Sequence, residues 1–242
     1  MCLVIVAHRV SSEFPLIIAA NRDEDHDRPT LPAHWWDGEI LGGRDALAGG
    51  TWLAMTRTGR FAAVTNLRAA PRAGAPSRGE LVAQFLRGDA APLAYANGVA
   101  ARAAQFAGFH LIAGQAGGEI GYVTNAPGAE GAHRYTDGVH GVSNGPPQER
   151  WPKVIAGEAA MNDALASGGD ADAITAELLR FLRSTRGGTP DREPFVLNER
   201  WGTRSSTVIV AAAEEIRFIE QSWTRRGEPD GDARRFLWSA AA

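Results

Sequence analysis

The chain opens with MCLVIVAHR, residues 1–9, in which a cysteine directly follows the initiator methionine and begins an apolar run. The run Cys2–Ala7 is typical of a buried β-strand. The initiator methionine is normally removed ahead of a small residue, which would leave Cys2 with a free α-amine beside its thiol. An amine can accept the thiol proton through a bridging water, so the two groups would form a nucleophile with its own base. A lone thiol is more often an inert buried side chain, and on position alone both interpretations stay open.

Two predicted hairpins flank a long segment without clear periodicity. Cys2–Arg9 and Phe14–Asn21 are β-rich runs separated by a short polar turn, and Thr51–Thr56 and Phe61–Asn66 form the second pair. Between them, Asp23–Gly50 holds two prolines and five glycines in 28 residues. We therefore expect an irregular loop there, and long loops inside compact domains tend to be functional.

Helices are predicted in two pairs, separated by strands. The helical segments are Arg78–Arg87, Ala91–Phe106, Trp151–Ser167 and Asp170–Thr185. The first should begin with a capping box formed by Ser77 and Glu80. Further predicted strands are Phe109–Ala113, Glu119–Thr124, His133–Tyr135, His140–Ser143, Thr207–Ala212, Ile216–Gln221 and Arg234–Trp238. This order predicts an α+β fold, a four-layer αββα sandwich of two antiparallel sheets flanked by helices, in a single domain over residues 1–242.

The composition restricts the class of protein. Apolar residues make up 44% and charged residues 22% of the chain, as in ordinary soluble proteins, and the net charge of −3 gives no basis for binding nucleic acid. A single cysteine excludes an intramolecular disulfide and a thiolate zinc cluster. No apolar stretch approaches the ~18 residues of a membrane span, and the N-terminus lacks a secretory signal, so we expect a cytoplasmic protein. Lys153 is the only lysine among 25 lysines and arginines, a bias typical of GC-rich bacterial genomes.

A polar string, Asn21-Arg22-Asp23-Glu24, ends the second predicted strand and should lie next to Cys2 if the first two strands pair. It is either a network of ion pairs, in which Arg22 and Arg28 neutralise the acidic residues, or a functional site. A metal site is disfavoured, because adjacent residues of an extended chain point in opposite directions and the spacing lacks the glycine and the distal glutamate of a calcium loop. No metal is predicted.

Three further polar residues stand at predicted strand ends. Asn66 closes the run Phe61–Asn66, and Asn144 lies in a Ser-Asn-Gly segment that ordinarily forms a turn. Neutral amide donors at strand ends are also what an oxyanion hole requires, because they stabilise developing charge without titrating. Arg204 precedes the predicted strand Thr207–Ala212; it is either a surface charge or a group that holds an anionic substrate or lowers a nearby pKa.

Eight short motifs, all in the right order, carry a resemblance to a known family. They are Met1-Cys2-Leu3, Ala20–Glu24, Gly49–Leu53, Val64-Thr65-Asn66, Ser77–Leu81, Ser143-Asn144-Gly145, Trp151-Pro152-Lys153 and Thr203–Thr207. They span essentially the whole chain, which resembles the NRDE family, also called the transport and Golgi organisation 2 family. That family is similar to choloylglycine hydrolases and penicillin V acylases, and the resemblance implies an N-terminal nucleophile hydrolase-like protein with the αββα fold.

The resemblance also implies a catalytic role for Cys2 and the polar string. Cys2 would be the nucleophile with its own amine as base, and Asp23 or Glu24 would hold that amine. The acylase pattern is Arg-Asn-x-Asp, whereas this chain has Asn-Arg-Asp-Glu at 21–24. The equivalence of Arg22 and the choice between the two acids therefore stay open.

For the remaining site residues the resemblance implies an oxyanion hole formed by Asn66 and Asn144, with Arg204 beside the thiol. We expect the substrate to be contacted by Asn21, His34, Trp35 and Trp52. The predicted loop with His34 and its neighbouring tryptophans would wall an apolar acyl pocket. Adjacent tryptophans are equally compatible with core positions, since neighbours on a strand face opposite ways.

Two functions of different classes are compatible with these residues. The first is a cysteine hydrolase that cleaves a small amide and requires no cofactor. The second is a non-catalytic protein that binds and traffics haem, or acyl-CoA or lipid, because members of the NRDE family have been linked to these ligands. The chain lacks the Cys-x-x-Cys-His haem-attachment signature, so haem would bind reversibly, through one of six histidines or against Trp35, Trp36 and Trp52. Either function implies a small-molecule partner, with no nucleic acid and no membrane span.

Overall fold

The computed structural model describes residues 2–68, 72 and 74–239. Within these residues the chain forms thirteen strands and four α-helices, and it divides into two compact units. The first unit holds residues 2–28, 137–143 and 150–239, and the second holds the described residues of 29–136 and 144–149. Each unit contains one antiparallel sheet with one pair of helices packed on it. The predicted α+β class with two antiparallel sheets is therefore confirmed.

Strands alternate with helix pairs along the chain. The strands are β1 (Leu3–His8), β2 (Leu16–Asp25), β3 (Thr30–Trp36), β4 (Ile40–Asp45), β5 (Leu53–Thr56), β6 (Arg60–Asn66), β7 (Phe109–Gln115), β8 (Ile120–Thr124), β9 (Gly131–Arg134), β10 (Gly138–Val142), β11 (Trp201–Ala211), β12 (Glu215–Ser222) and β13 (Arg234–Ser239). The helices are α1 (Gly79–Arg87), α2 (Pro92–Ala100), α3 (Pro152–Ala166) and α4 (Ala171–Leu182). Among the residues that the structure describes, no helix is long and apolar enough to cross a membrane.

The first unit is built on a six-stranded sheet in the order β10-β1-β2-β11-β12-β13. β1 and β2 form the predicted hairpin, and all six residues of β1, which lies between β10 and β2, are buried. Helices α3 and α4 cover one face, where Leu3 and Ile5 of β1 pack with Ile174, Leu178 and Leu182. These apolar residues of α4 recur at the helical period of 3.6 residues, so they lie on one side of the helix, and that side faces the sheet.

The second unit is built on a seven-stranded sheet that runs in chain order from β3 to β9, so each strand pairs with its neighbour in sequence. The predicted hairpin of β5 and β6 is confirmed, with Gly59 in its turn at a φ of +79°. Helices α1 and α2 cover one face. There Leu81 and Phe85 of α1 pack with Val64 and Leu111 of the sheet.

The prediction of an irregular loop over Asp23–Gly50 is wrong, because the segment contains the hairpin of β3 and β4. Its turn residues Asp37 and Gly38 have φ values of +50° and +78°, as the two central residues of a type I′ turn require. Within β4, a Cβ at Gly42 would lie 2.6 Å from the Cβ of Ala54 on β5. Glycine here permits close contact between strands, so it does not indicate a loop.

Several element ends differ from their predicted positions, among them that of α2, which ends at Ala100 and not at Phe106. β2 continues to Asp25, so the string Asn21–Glu24 lies within the strand. β11 begins at Trp201, well before the predicted start. α1 begins at Gly79 and no side chain caps its first turn, so the predicted capping box of Ser77 and Glu80 does not form.

Candidate catalytic site

Cys2 directly precedes β1, and the hairpin determines which residues surround it. The antiparallel register pairs Leu3 with Asn21, so Cys2 lies alongside Arg22 on the neighbouring strand. The Cys2 side chain is 7% exposed, and its Sγ donates a hydrogen bond to the backbone oxygen of Asp23 at 3.8 Å. The predicted proximity of Cys2 to the polar string of β2 is therefore confirmed.

The surroundings of Cys2 oppose ionisation of its thiol. Burial raises the pKa of the Cys2 thiol, and the negative charge of Asp23 raises this pKa further, while Arg22 acts in the opposite direction. A thiolate at this position therefore depends on nearby positive charge.

The main chain of Cys2 is held by Ser143, whose Oγ donates a hydrogen bond to the backbone oxygen of Cys2 at 2.7 Å.

Asp23 is the acidic residue whose backbone contacts the thiol, and its buried carboxylate is held from two sides. Oγ1 of Thr203 donates to Oδ1 of Asp23 at 2.7 Å, and Nζ of Lys153 lies 3.8 Å from Oδ2. The register of β2 and β11 pairs Asp23 with Thr203, so their side chains share one face of the sheet. Of the two candidate acids, Asp23 is thus the one that adjoins Cys2.

Glu24 has different partners. Its Oε2 accepts a hydrogen bond from Nη2 of Arg22 at 3.4 Å and lies 3.8 Å from Nε of Arg28. Its Oε1 accepts from the backbone N–H of Asp25 at 2.9 Å. The ion-pair interpretation of the string therefore holds for Glu24 with both arginines, whereas Asp23 pairs with Lys153. In the described part of the chain, no group of three or more His, Cys, Asp or Glu side chains is placed to hold a metal ion.

Asn21 is a structural residue, which corrects its predicted role as a substrate contact. Its side chain has no exposed surface, and Nδ2 donates to the backbone oxygens of Leu182 and Pro194, both at 2.7 Å. Its Oδ1 accepts from Oγ of Ser206 at 2.6 Å, and that hydroxyl accepts in turn from Nε1 of Trp223 at 2.9 Å. Other groups of the protein occupy both the nitrogen and the oxygen of the Asn21 amide. The side chain therefore connects the C-terminal end of α4 to the centre of the sheet.

Arg204 occupies a β-bulge in β11. The register with β2 shifts between Thr203 and Ser205, so Arg204 is the extra residue. Its Nη1 donates to three carbonyl oxygens, those of Asp25, His26 and Arg28, at 3.0, 3.0 and 3.3 Å. Burial lowers the pKa of Arg204, and the positive charge of Arg22 lowers it further. One nitrogen of this guanidinium thus holds the segment that follows β2, and its predicted contact with the substrate or the thiol stays a prediction.

Lys153 was not selected as a site residue from the sequence, yet the structure places it beside Asp23. It lies in the first turn of α3, and its side chain is completely buried. Burial lowers the pKa of the Lys153 ammonium, whereas Asp23, Cys2 and Asp191 raise this pKa. Only the composition could have drawn attention to it, because Lys153 is the single lysine among 25 lysines and arginines.

The two predicted oxyanion donors belong to the second unit, where they are in contact. Asn66 ends β6 with an exposed side chain, and Nδ2 of Asn144 donates to the backbone oxygen of Asn66. The backbone N–H of Arg68 donates to the carbonyl oxygen of Asn144 at 2.8 Å. Their action as oxyanion donors stays a prediction. The predicted catalytic residues thus form two groups, namely Cys2, Arg22, Asp23, Glu24 and Arg204 in the first unit, and Asn66 with Asn144 in the second.

A buried histidine, also missed from the sequence, supports the segment after Asn144. Nε2 of His110 lies 3.1 Å from the backbone oxygen of Gly145, and Nδ1 lies 2.7 Å from the hydroxyl of Tyr122. Burial lowers the pKa of His110 to about 4, so the ring is neutral near pH 7. The neutral ring then donates from Nε2 to Gly145 and accepts at Nδ1 from Tyr122.

The predicted aromatic contacts for the substrate lie in the second unit. His34 and Trp35 are neighbours in the edge strand β3, and Trp52 directly precedes β5. Trp36 is a core residue, because its ring is buried and its indole N–H donates to a carbonyl of β4. The guanidinium of Arg57 lies over the ring of Trp35 at 4.0 Å. Substrate contacts by His34, Trp35 and Trp52 stay predictions.

Comparison with known proteins shows the family of this chain. Residues 1–225 match the family described as Transport and Golgi organisation 2. The chain belongs to the Transport and Golgi organisation 2 family. The Transport and Golgi organization protein 2 homolog of Bos taurus is 35% identical over 239 residues, which cover 86% of this chain and 87% of that protein. The homolog of Homo sapiens is 31% identical over 239 residues with the same two coverages. The resemblance drawn from the eight motifs is thereby confirmed.

Solved structures share the fold of this Transport and Golgi organisation 2 family member. Penicillin V acylase from Agrobacterium tumefaciens superposes with a TM-score of 0.59 at 15% identity, over 98% of this chain and 85% of that one. The C2A mutant of the conjugated bile acid hydrolase from Clostridium perfringens superposes with a TM-score of 0.54 at 9% identity, over 98% and 92%. At these identities the likeness concerns the fold, and it confirms the predicted N-terminal nucleophile hydrolase-like fold.

Proposed function

We propose that this chain is an N-terminal cysteine hydrolase that cleaves the C–N bond of a small amide by acyl transfer through Cys2. The observation that carries the proposal is the position of the Cys2 thiol, which is buried against the backbone of Asp23. The nearby charged side chains are one carboxylate, Asp23, and two cations, Arg22 and Lys153. A nucleophile held in such surroundings is suited to acyl transfer, and a carrier has no evident use for it.

The reaction follows from the groups at the N-terminus. After removal of the initiator methionine, the α-amine of Cys2 accepts the thiol proton, and the sulfur attacks the amide carbonyl. The C–S bond forms, the C–N bond breaks, and the α-ammonium returns the proton to the departing amine. Water then attacks the thioester and gives a proton to the α-amine, a C–O bond replaces the C–S bond, and the proton passes to the leaving sulfur as the acid is released. Asp23 is the acid proposed to hold the α-ammonium, since a carboxylate has lone pairs beyond the one that the hydroxyl of Thr203 engages.

Two proteins of the same fold support this proposal through what their names state. One is an acylase and the other a hydrolase, and the hydrolase was determined as its C2A mutant, which indicates a cysteine at position 2 there as well. The alternative function, reversible binding and trafficking of haem, acyl-CoA or lipid, stays a prediction.

The experiment compares the parent protein with Cys2→Ala and Cys2→Ser. Intact-mass analysis first establishes whether the initiator methionine has been removed. The proteins are then incubated with fluorogenic N-acyl amides of increasing acyl length, and the acyl-enzyme is sought as a mass increase on Cys2. We expect turnover and acyl-enzyme in the parent and no turnover in Cys2→Ala.

The control is the binding of haem and of acyl-CoA to the same three proteins, measured by absorbance titration and by calorimetry. Binding that survives Cys2→Ala, with no turnover of any amide by the parent, would support the carrier. Full cellular function of a protein that keeps its initiator methionine would contradict the hydrolase mechanism, because the α-amine would be blocked.

A further inference from the structure

Lys153 lies where a charged side chain is unfavourable for the stability of the fold. Its side chain is completely buried, and burial of an ammonium costs free energy even when the ammonium is paired. It also lies in the first turn of α3, where the helix dipole disfavours positive charge. A methionine of similar length would fill this space without either cost. The presence of lysine therefore indicates that the charge itself is used.

The partners of Lys153 connect it to the nucleophile. Its Nζ lies 3.8 Å from Oδ2 of Asp23, and the backbone oxygen of Asp23 accepts the hydrogen bond of the Cys2 thiol at 3.8 Å. On the other side, the backbone N–H of Lys153 donates to the backbone oxygen of Asp191 at 3.1 Å, and the carboxylate of Asp191 attracts the ammonium. Cys2 and Lys153 thus share Asp23 as a neighbour, and a negative charge on Cys2 raises the pKa of the Lys153 ammonium.

The balance of charge around the thiol depends on Lys153. The charged side chains that act on Cys2, or that pair with its neighbour Asp23, are one carboxylate, Asp23, and two cations, Arg22 and Lys153. These side chains together carry one excess positive charge, which offsets the charge of the thiolate in addition to the α-ammonium of Cys2. Without the Lys153 ammonium, the side chains no longer offset the thiolate charge in a site of low dielectric constant, which is unfavourable.

We propose that Lys153 is a positioning residue of the nucleophile, whose ammonium holds the Asp23 carboxylate and supplies the positive charge against which the Cys2 thiolate forms. The inference rests on the proposed function in taking Cys2 as the reactive group. It concerns the ionisation of the thiol alone, so the reactivity of Cys2 depends on Lys153 even when no substrate is present.

The chain has one cysteine, so the rate of alkylation by iodoacetamide reports on Cys2 alone. The rate is measured as a function of pH for the parent protein, Lys153→Met and Lys153→Arg, with intact-mass analysis to ensure the same N-terminus in each. In Lys153→Met we expect the thiol pKa to rise by about one unit and the rate at neutral pH to fall about tenfold. Lys153→Arg keeps the charge and should retain the rate to within about threefold. Arg28→Met, which removes a cation from Glu24, is the matched control and should stay within about twofold.

The double variant Asp23→Asn with Lys153→Met separates charge from stability. It removes the Asp23 carboxylate together with the ammonium, so its rate should exceed that of Lys153→Met and fall about tenfold below that of Asp23→Asn. Circular dichroism and thermal unfolding establish that each variant is folded. A folded Lys153→Met protein that reacts at the parent rate would overturn the proposal. If Lys153→Met does not fold, the double variant is compared with Asp23→Asn, and equal alkylation rates in the two would overturn the proposal. The alkylation assay does not depend on amide turnover. Failure of the hydrolase proposal and failure of the proposal for Lys153 are therefore distinguishable.

Discussion

Oγ1 of Thr203 donates a 2.7 Å hydrogen bond to Oδ1 of Asp23, and both side chains are buried. The two residues are 180 positions apart in sequence and meet because β11 pairs with β2. The same hydroxyl oxygen accepts a hydrogen bond from the backbone N–H of Val196 at 2.9 Å. One hydroxyl therefore connects the candidate acid to the segment that leads into β11.

Thr203→Val should destabilise the protein, because it removes both of these hydrogen bonds from a buried position. We expect the free energy of unfolding in urea to fall by about 2 kcal/mol. Thr203→Ser keeps the hydroxyl and should stay within about 1 kcal/mol of the parent. Equal stability of the valine variant and the parent would show that the hydroxyl contributes nothing to the fold.

Asn21→Leu should likewise act on stability and not on chemistry. It leaves the carbonyl oxygens of Leu182 and Pro194 without the amide that donates to them, so we expect a loss of about 3 kcal/mol in the free energy of unfolding. Asn97→Leu, at an exposed position of α2, is the matched control. The folded Asn21→Leu protein should alkylate at Cys2 as the parent does. Unchanged stability together with weaker substrate binding would restore the predicted substrate contact.

Burial of His110 predicts a loss of stability in acid. Its pKa is about 4 in the folded chain, against an ordinary value of 6.5. Above pH 6.5 the histidine is neutral in both states, and its contribution to stability is complete. As the pH falls from 6.5 to about 4 the unfolded state binds the proton and the folded state does not. The free energy of unfolding should therefore fall by about 3 kcal/mol across this window.

The variant His110→Gln tests this pH dependence. Glutamine can donate to Gly145 but cannot take up a proton, so its unfolding free energy should lack this part of the pH dependence. His133→Gln, at an exposed histidine, should retain it. Urea unfolding at several pH values measures both. Parallel curves for the parent and His110→Gln would be inconsistent with the depressed pKa.

Arg204→Met should loosen the segment that follows β2, because one guanidinium nitrogen holds three of its carbonyl oxygens. The backbone amides of His26 and Arg28 are hydrogen-bonded in this segment, and we expect their hydrogen exchange to become about tenfold faster. Amides of β12 serve as the internal reference. Unchanged exchange together with weaker binding of an anionic substrate would favour the substrate contact predicted for Arg204.

Local patterns in the sequence were sufficient for most elements of the fold. The hairpin of β1 and β2 and the four helices depend on residues close in sequence, so periodicity could predict them. The hairpin within Asp23–Gly50 was missed because composition does not separate two uses of glycine. Gly38 forms a turn, whereas Gly42 allows two strands to approach closely.

Of the candidate site, the sequence predicted only the contacts that follow from the pairing of β1 with β2. That register places Cys2 beside the polar string of β2, as expected. The contact of Lys153 with Asp23 depends on the packing of α3 against the sheet, and no pattern along the chain encodes it. The same holds for Asn21, since alternation places it on the face that carries the helices but does not show that the end of α4 closes over it.

The pairing of β2 with β11 also determines when the surroundings of Cys2 are completed during synthesis. The residues around Cys2 leave the ribosome first, whereas Ser206, which donates to Asn21, follows 185 positions after its partner. At elongation rates of 5–20 residues per second this interval lasts about 10–40 s. Throughout it β2 lacks its partner β11, and the Asp23 carboxylate lacks the hydroxyl of Thr203. The side chains next to Cys2 therefore reach their final contacts only after β11 has been made, late in the synthesis of the first unit.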